Sequence, residues 1–276
     1  MRSDQLTLNL LLQAAGIPLS QTRLVRHQDQ RSPSGRTPYT AWRAQDGSFE
    51  QYQAIQSKER FSTGDWLASF VATPLGETLF VGLFKVNAVG IVPRGVVDPI
   101  GGHDVEGLHL YEIERLDALS EYSGRMVVEW GDGYRSWVQR ADRQDKRIIE
   151  LRREISDPPF PGFDAFVHTI RTLAGVPHTW RSALTAVSGV YLLVSMTTGK
   201  HYVGSAIGTE GFWGRWASYA ANGHGGNVGL KLAAEQDYVV SILEVAASTA
   251  SEEDVLKLES NWKRKLLSRE FGLNKN

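Results

Sequence analysis

The chain has 276 residues, 42% of them hydrophobic, with 30 Lys and Arg balanced against 31 Asp and Glu. That length allows one large domain or two ordinary ones, and 8 Trp, 9 Tyr and 10 Phe exclude wholesale disorder. The absence of Cys excludes disulfides, thiolate metal sites and cysteine nucleophiles, fits a reducing cytoplasm, and leaves any nucleic-acid partner to be argued locally, since the formal net charge is only −1.

The opening MRSDQLTLNLLLQAAGIPL carries Asp4 and Asn9 and lacks a small-residue cleavage signal. It reads as a helix over 5–15, stopped by Gly16 and Pro18, and not as a signal peptide. No apolar run approaches the roughly 18 residues of a membrane span, so no membrane partner is expected. Residues 28–38 (QDQRSPSGRTP) read as a surface loop. From Phe61 the pattern turns to β: LASFVAT (67–73) and TLFVGLFKV (78–86) flank Pro74-Leu75-Gly76-Glu77 as a hairpin. Further strands are predicted over 108–112, 125–130, 135–139 and 148–151, with Gly131-Asp132-Gly133 as a turn, and together they predict a small antiparallel barrel or sandwich.

The segment 156–162 (SDPPFPG) can extend neither helix nor sheet and marks the domain boundary. A helix-like stretch over 163–173 follows, so 161–185 reads as a linker with a bridging helix. The remainder reads strand (189–196), turn at Thr198-Gly199, strand (201–205), helix (211–221), strand (238–244) and helix (252–268). The fold class is therefore α+β. An N-terminal β-rich, barrel-like domain (1–160) precedes a small antiparallel sheet flanked by helices (186–276). A fragment beginning near Arg181 is expected to fold by itself.

Gly189-Val190-Tyr191 and Tyr202-Val203-Gly204 open two adjacent strands. Arg215 and Tyr219 follow one helical turn apart, hence on one face. Glu259 lies on the last helix, with Val255, Trp262 and Leu266 at i−4, i+3 and i+7, so it sits on an apolar stripe. An isolated buried charge is costly, so this carboxylate is either ion-paired or holds a cation. A single carboxylate with phosphate oxygens and waters suits Mg²⁺. Arg215, framed by Phe212, Trp213 and Trp216, is a permanent planar cation suited to a scissile phosphate, or else an ordinary surface arginine. Tyrosine, with a free pKa of about 10, is a poor base without a nearby cation.

In order and type, the two tripeptides, Arg215, Glu259 and Asn274 resemble the GIY-YIG nuclease family over about 188–276, with Val in place of Ile in both signatures. The resemblance implies hydrolysis of a DNA phosphodiester with Mg²⁺, or Mn²⁺ as its substitute. Tyr191, Tyr202 and Tyr219 would line the site, Arg215 would steady the phosphate, Glu259 would hold the metal and Asn274 would order the site. Lys200, His201, His224 in the Gly-rich loop 222–227, and Lys263 in the run Lys263-Arg264-Lys265 are candidate substrate contacts. The plainer readings are a bystander histidine and the positive end of a helix.

The phrase FSTGDW (61–66) and its strand pair are similar to PUA-like base-reading barrels. Trp66, Trp130, Tyr134 and Trp137 are then expected either to stack on an extruded base or to fill a core. The partner expected is foreign double-stranded DNA, either unmodified or with modified cytosine, in restriction or defence. Double-strand cleavage would call for a homodimer or for sequential nicking. The alternatives are a structure-specific repair or recombination nuclease, and a non-catalytic nucleic-acid-binding module on a nuclease fold.

Overall fold

The computed structural model describes residues 5–29, 32, 35–131, 136–222 and 237–275. The chain divides into two compact units, Met1–Pro158 and Pro159–Asn276, and the break falls inside the proline-rich segment. Helices and sheets are both present in quantity, as in an α+β protein. Among the described residues no helix is long and apolar enough to cross a membrane.

The first unit runs α1 (Leu8–Ala14), β1 (Thr22–His27), α2 (Pro38–Ala44), α3 (Ser48–Ala54), β2 (Ile55–Gln56), β3 (Trp66–Ala72), β4 (Thr78–Ile91), β5 (His109–Leu116), β6 (Met126–Val128), β7 (Val138–Arg140) and β8 (Ile148–Leu151). The strands form one eight-stranded sheet, curled into a half-barrel. The 14-residue β4 is its spine: β3 pairs along one side, and β6 and β5 share the other. Alternate residues of a strand face opposite sides, and both sides are buried along β3 and residues 78–86 of β4, whereas 87–91 are exposed. Leu67 and Val71 join one apolar cluster with Val81 and Phe84, whereas Ala68 and Phe70 join another with Phe80 and Leu83. Burial on both faces is why β3 and β4 read as near-continuous apolar runs. The first cluster takes Tyr39, Trp42 and Phe49 from α2 and α3, and the second takes Leu8 and Leu12 from α1.

The expectation of a purely antiparallel sheet is corrected by β1, which pairs with β3 in parallel from Thr22↔Trp66 to His27↔Val71. A parallel pair needs a long crossover, and α2 and α3 supply it. Thr37 starts α2 with a capping box, and Pro38 occupies the first turn, where its missing N–H costs nothing.

The second unit contains β9 (Val167–Thr169), a 3₁₀ turn (Ile170–Gly175), α4 (His178–Thr185), β10 (Gly189–Ser195), β11 (His201–Ala206), α5 (Gly211–Asn222), β12 (Tyr238–Val245) and α6 (Glu252–Lys265). Its four-stranded sheet has the order β11-β10-β12-β9, antiparallel throughout. α5 packs on α4, the 3₁₀ turn and β11, while α6 packs on β10 and β11. Ser251 and Asp254 form a capping box at the start of α6, acidic residues fill its first turn and Lys263, Arg264 and Lys265 its last, complementing the helix dipole.

The predicted bridging helix over 163–173 is not formed, and 161–185 is not a linker. Residues 167–169 instead pair with β12 as an edge strand. Phe166, Ile170, Leu173, Val176, Trp180 and Leu184 are buried in the core of this unit. The apolar spacing of the segment imitates a helix, but the open edge of β12 and the aromatic core offer more burial than an isolated helix would. Phe166 stacks on Trp216 with ring centroids 5.4 Å apart at 12°. This changes what a truncation should do. A fragment of residues 159–276 should melt cooperatively, whereas one beginning at Arg181 loses Phe166, Leu173 and Trp180 and should not, as thermal unfolding followed by circular dichroism will show.

Candidate active site

Across the β10–β11 pair Tyr191 stands opposite Gly204, and Leu193 opposite Tyr202, so both signature tyrosines occupy one face of the sheet. That face is covered by α5, whose Phe212, Trp216 and Tyr219 recur at helical spacing and are buried. Gly204 is required by close approach: a Cβ there would stand 2.6 Å from Cζ of Tyr191 and 2.8 Å from Cε1 of Tyr202. The Tyr191 and Tyr219 hydroxyls share a hydrogen bond of 2.7 Å. Arg215 donates from Nε to the Tyr191 hydroxyl at 3.3 Å, and its guanidinium lies 5.3 Å from the centre of the Tyr219 ring.

Burial pushes the Tyr191 hydroxyl well above the ordinary tyrosine range, with Tyr219 and Tyr202 adding to the shift and Arg215 opposing it. Tyr202 is raised by burial, then by Tyr219 and the Glu259 carboxylate. Burial opposes the Arg215 charge, but the Tyr191, Tyr219 and Tyr202 oxygens more than offset it, and its pKa rises. At neutral pH Tyr191 and Tyr202 are therefore protonated, able to donate and accept hydrogen bonds.

Glu259 approaches from the other face. Ser205 pairs with Val190, so it points away from Tyr202 and Gly204, and its hydroxyl donates to Oε2 of Glu259. The Lys263 ammonium lies 2.7 Å from Oε1. Glu259 is 8% exposed and Lys263 4%, so the carboxylate on the apolar stripe is paired, as burial demands. β11 ends the strand order, and the tyrosine–arginine group and the carboxylate flank this edge strand from its two faces. Among the described residues no three His, Asp or Glu gather into a metal cage. One carboxylate does suit Mg²⁺, which keeps several waters and takes phosphate oxygens, but both Glu259 oxygens are engaged, so a partner must yield for Glu259 to hold it.

Asn274 is 1% exposed; its Oδ1 accepts from Val203 N at 2.9 Å and its Nδ2 donates to Val203 O at 2.8 Å. It thus clamps the middle residue of the second signature. His201 is half-buried, with Nε2 3.0 Å from the Leu266 carbonyl. Its side chain serves the end of α6, on the face away from the tyrosines. Lys200 is exposed in the β10–β11 turn. His224 and Tyr134 lie outside the described residues. Reasoning from the sequence missed Ser205 and the pairing of Lys263, although the i,i+4 spacing from Glu259 was the available signal.

Trp66, Trp130 and Trp137 do not share a pocket. Trp66 and Trp130 pack in the cluster on one face of the large sheet and Trp137 in the cluster on the other. A sheet buried on both sides distributes its aromatics to both. Lys85 sits 4.2 Å from the Trp66 ring centre. Trp137 packs beside His27, which contacts Phe49 and Tyr52 at 5.4 Å each. Burial lowers the His27 pKa to about 4, against an opposing hydrogen bond to Gln53.

No known family, curated protein or solved structure matches this chain. What the site can do rests on its own chemistry.

Two outcomes follow from these contacts. Asn274→Ala leaves the Val203 N–H and C=O without their partners, at about 1–3 kcal/mol each, and should lower the urea stability of the second unit by about 2 kcal/mol or more. For His27, the unfolded chain takes up a proton near pH 6.5 that the folded chain refuses until about pH 4. Stability should therefore fall as pH drops through this window, by about 3 kcal/mol in all. Urea unfolding at pH 7.5 and 4.5 measures it, and His27→Phe should flatten the difference.

Proposed function

We propose that the second unit is a Mg²⁺-dependent DNA endonuclease of the GIY-YIG type, that the first unit selects its substrate, and that its setting is defence against foreign, base-modified DNA. The observation that carries this is the buried Tyr191–Tyr219 hydroxyl pair with Arg215 donating to it. An arginine fixed by a hydrogen bond and by packing on a ring is preorganised for charge that develops on a phosphate. Tyr191 and Tyr202, kept protonated by burial, orient a phosphate oxygen or water by hydrogen bonding and do not act as bases in this state. Glu259 would hold the cation once Lys263 releases its carboxylate. Bound magnesium would supply Lewis-acid stabilisation of the phosphate and the leaving oxygen. One site cuts one strand, so a double-strand break requires a second copy or a second nick.

A second reading has its own support. The closure of Glu259 by Lys263 and Ser205 is what a non-catalytic nucleic-acid-binding module would retain. Incubating the full chain and Mg²⁺ with unmodified, modified-cytosine and branched duplexes separates the possibilities. Cleavage that EDTA and Glu259→Gln abolish, and that Arg215→Ala slows by about 10²–10³ with little loss of binding, supports the nuclease. Preference for branched substrates points to repair or recombination. Binding without any cleavage selects the non-catalytic module.

A further inference from the structure

Lys263 is paired inside the protein and is not displayed to a substrate. Its side chain is 5% exposed, and its ammonium lies 2.7 Å from Oε1 of a carboxylate whose other oxygen accepts from Ser205. A buried carboxylate needs a counter-charge, and a lysine one turn along the same helix supplies it. Lys263 also lines a hollow of about 280 Å³ at the C-terminal end of α6, where Arg264 and Arg269 with it outnumber the single carboxylate of Glu270. An ammonium on a flexible four-carbon stem can leave a carboxylate for a neighbouring site more readily than a rigid guanidinium fork.

We propose that Lys263 is an internal cation that keeps the Glu259 carboxylate closed until a divalent metal takes its place, and that the displaced ammonium then serves the adjoining basic hollow as a contact for a DNA backbone phosphate. This rests on Glu259 as the metal ligand of the proposed nuclease. The ammonium and a metal cannot share one buried oxygen, because like charges at that distance repel. Without DNA, Lys263 therefore weakens metal binding. With DNA, a phosphate in the hollow gives the displaced ammonium a partner, so metal and DNA strengthen each other's binding by the same factor.

The test is the affinity of the full-length protein for Mn²⁺, measured by electron paramagnetic resonance without DNA. Lys263→Met should bind Mn²⁺ about tenfold or more tighter than the unaltered chain, within the usual range of such couplings, and Lys263→Arg should not. A non-cleavable phosphorothioate duplex should tighten Mn²⁺ binding to the unaltered protein and have much less effect on Lys263→Met. A second measurement needs no variant: Lys263 should resist acylation by an N-hydroxysuccinimide ester in the metal-free protein and become reactive as Mn²⁺ saturates, read by peptide mass spectrometry. Unchanged Mn²⁺ affinity in Lys263→Met, or unchanged acylation at saturating Mn²⁺, overturns the proposal; if that variant does not fold, the acylation result decides. Cleavage of DNA with neither metal effect would remove this role for Lys263 and leave the nuclease. Both metal effects without cleavage would do the reverse.

Discussion

The ring of Tyr191 occupies the space that Gly204 leaves by having no side chain, and the second unit is arranged around that contact. Tyr191 is fully buried, edge-on to Trp216 at 5.9 Å and 88°. Trp216 in turn stacks on Phe166 from the segment that precedes the first signature. One aromatic block therefore runs from that segment through α5 to the two signature strands. A change of shape at Phe166 reaches the Tyr191 hydroxyl through a single intervening ring, in an interior too closely packed to absorb it.

The two faces of β11 solve opposite electrostatic problems. On the α5 face a permanent cation is placed among phenols; burial keeps Tyr191 and Tyr202 protonated, and the phenol oxygens favour the guanidinium. On the α6 face a carboxylate is buried and neutralised by a lysine of the same helix. The carboxylate pair is local to α6, so it can form as soon as the helix does. The arginine–tyrosine group depends on α5 docking against the sheet.

Much of the second unit was legible because its punctuation is local. Thr198-Gly199 fixes the β10–β11 turn, Ser251 and Asp254 fix the start of α6, and the stripe through Val255 and Glu259 announces burial of the carboxylate. Ser205 was not legible, since its role depends on which sheet face α6 covers. In the first unit the apolar runs of β3 and β4 were readable as strands. The parallel partner β1 was not, because the pairing Thr22↔Trp66 spans two short helices of seven residues each. The division of Trp66 and Trp137 between opposite faces is likewise set by the sheet and not by their neighbours in sequence. The residues 167–169 failed for the same kind of reason: only the edge of β12 makes them a strand.

The position of β11 at the end of its sheet has a further consequence. An edge strand offers its outward N–H and C=O groups as a template for any extended chain. Here the carbonyl of His201 accepts from Leu273 N at 2.7 Å, and the Asn274 amide takes both backbone groups of Val203. Two consecutive residues thus cap the edge, Leu273 through its backbone and Asn274 through its side chain, and close it beside the tyrosines. A foreign peptide or a second copy of the chain cannot extend the sheet at Val203 without displacing Asn274, so edge-to-edge aggregation is blocked at the point where the second signature would otherwise invite it.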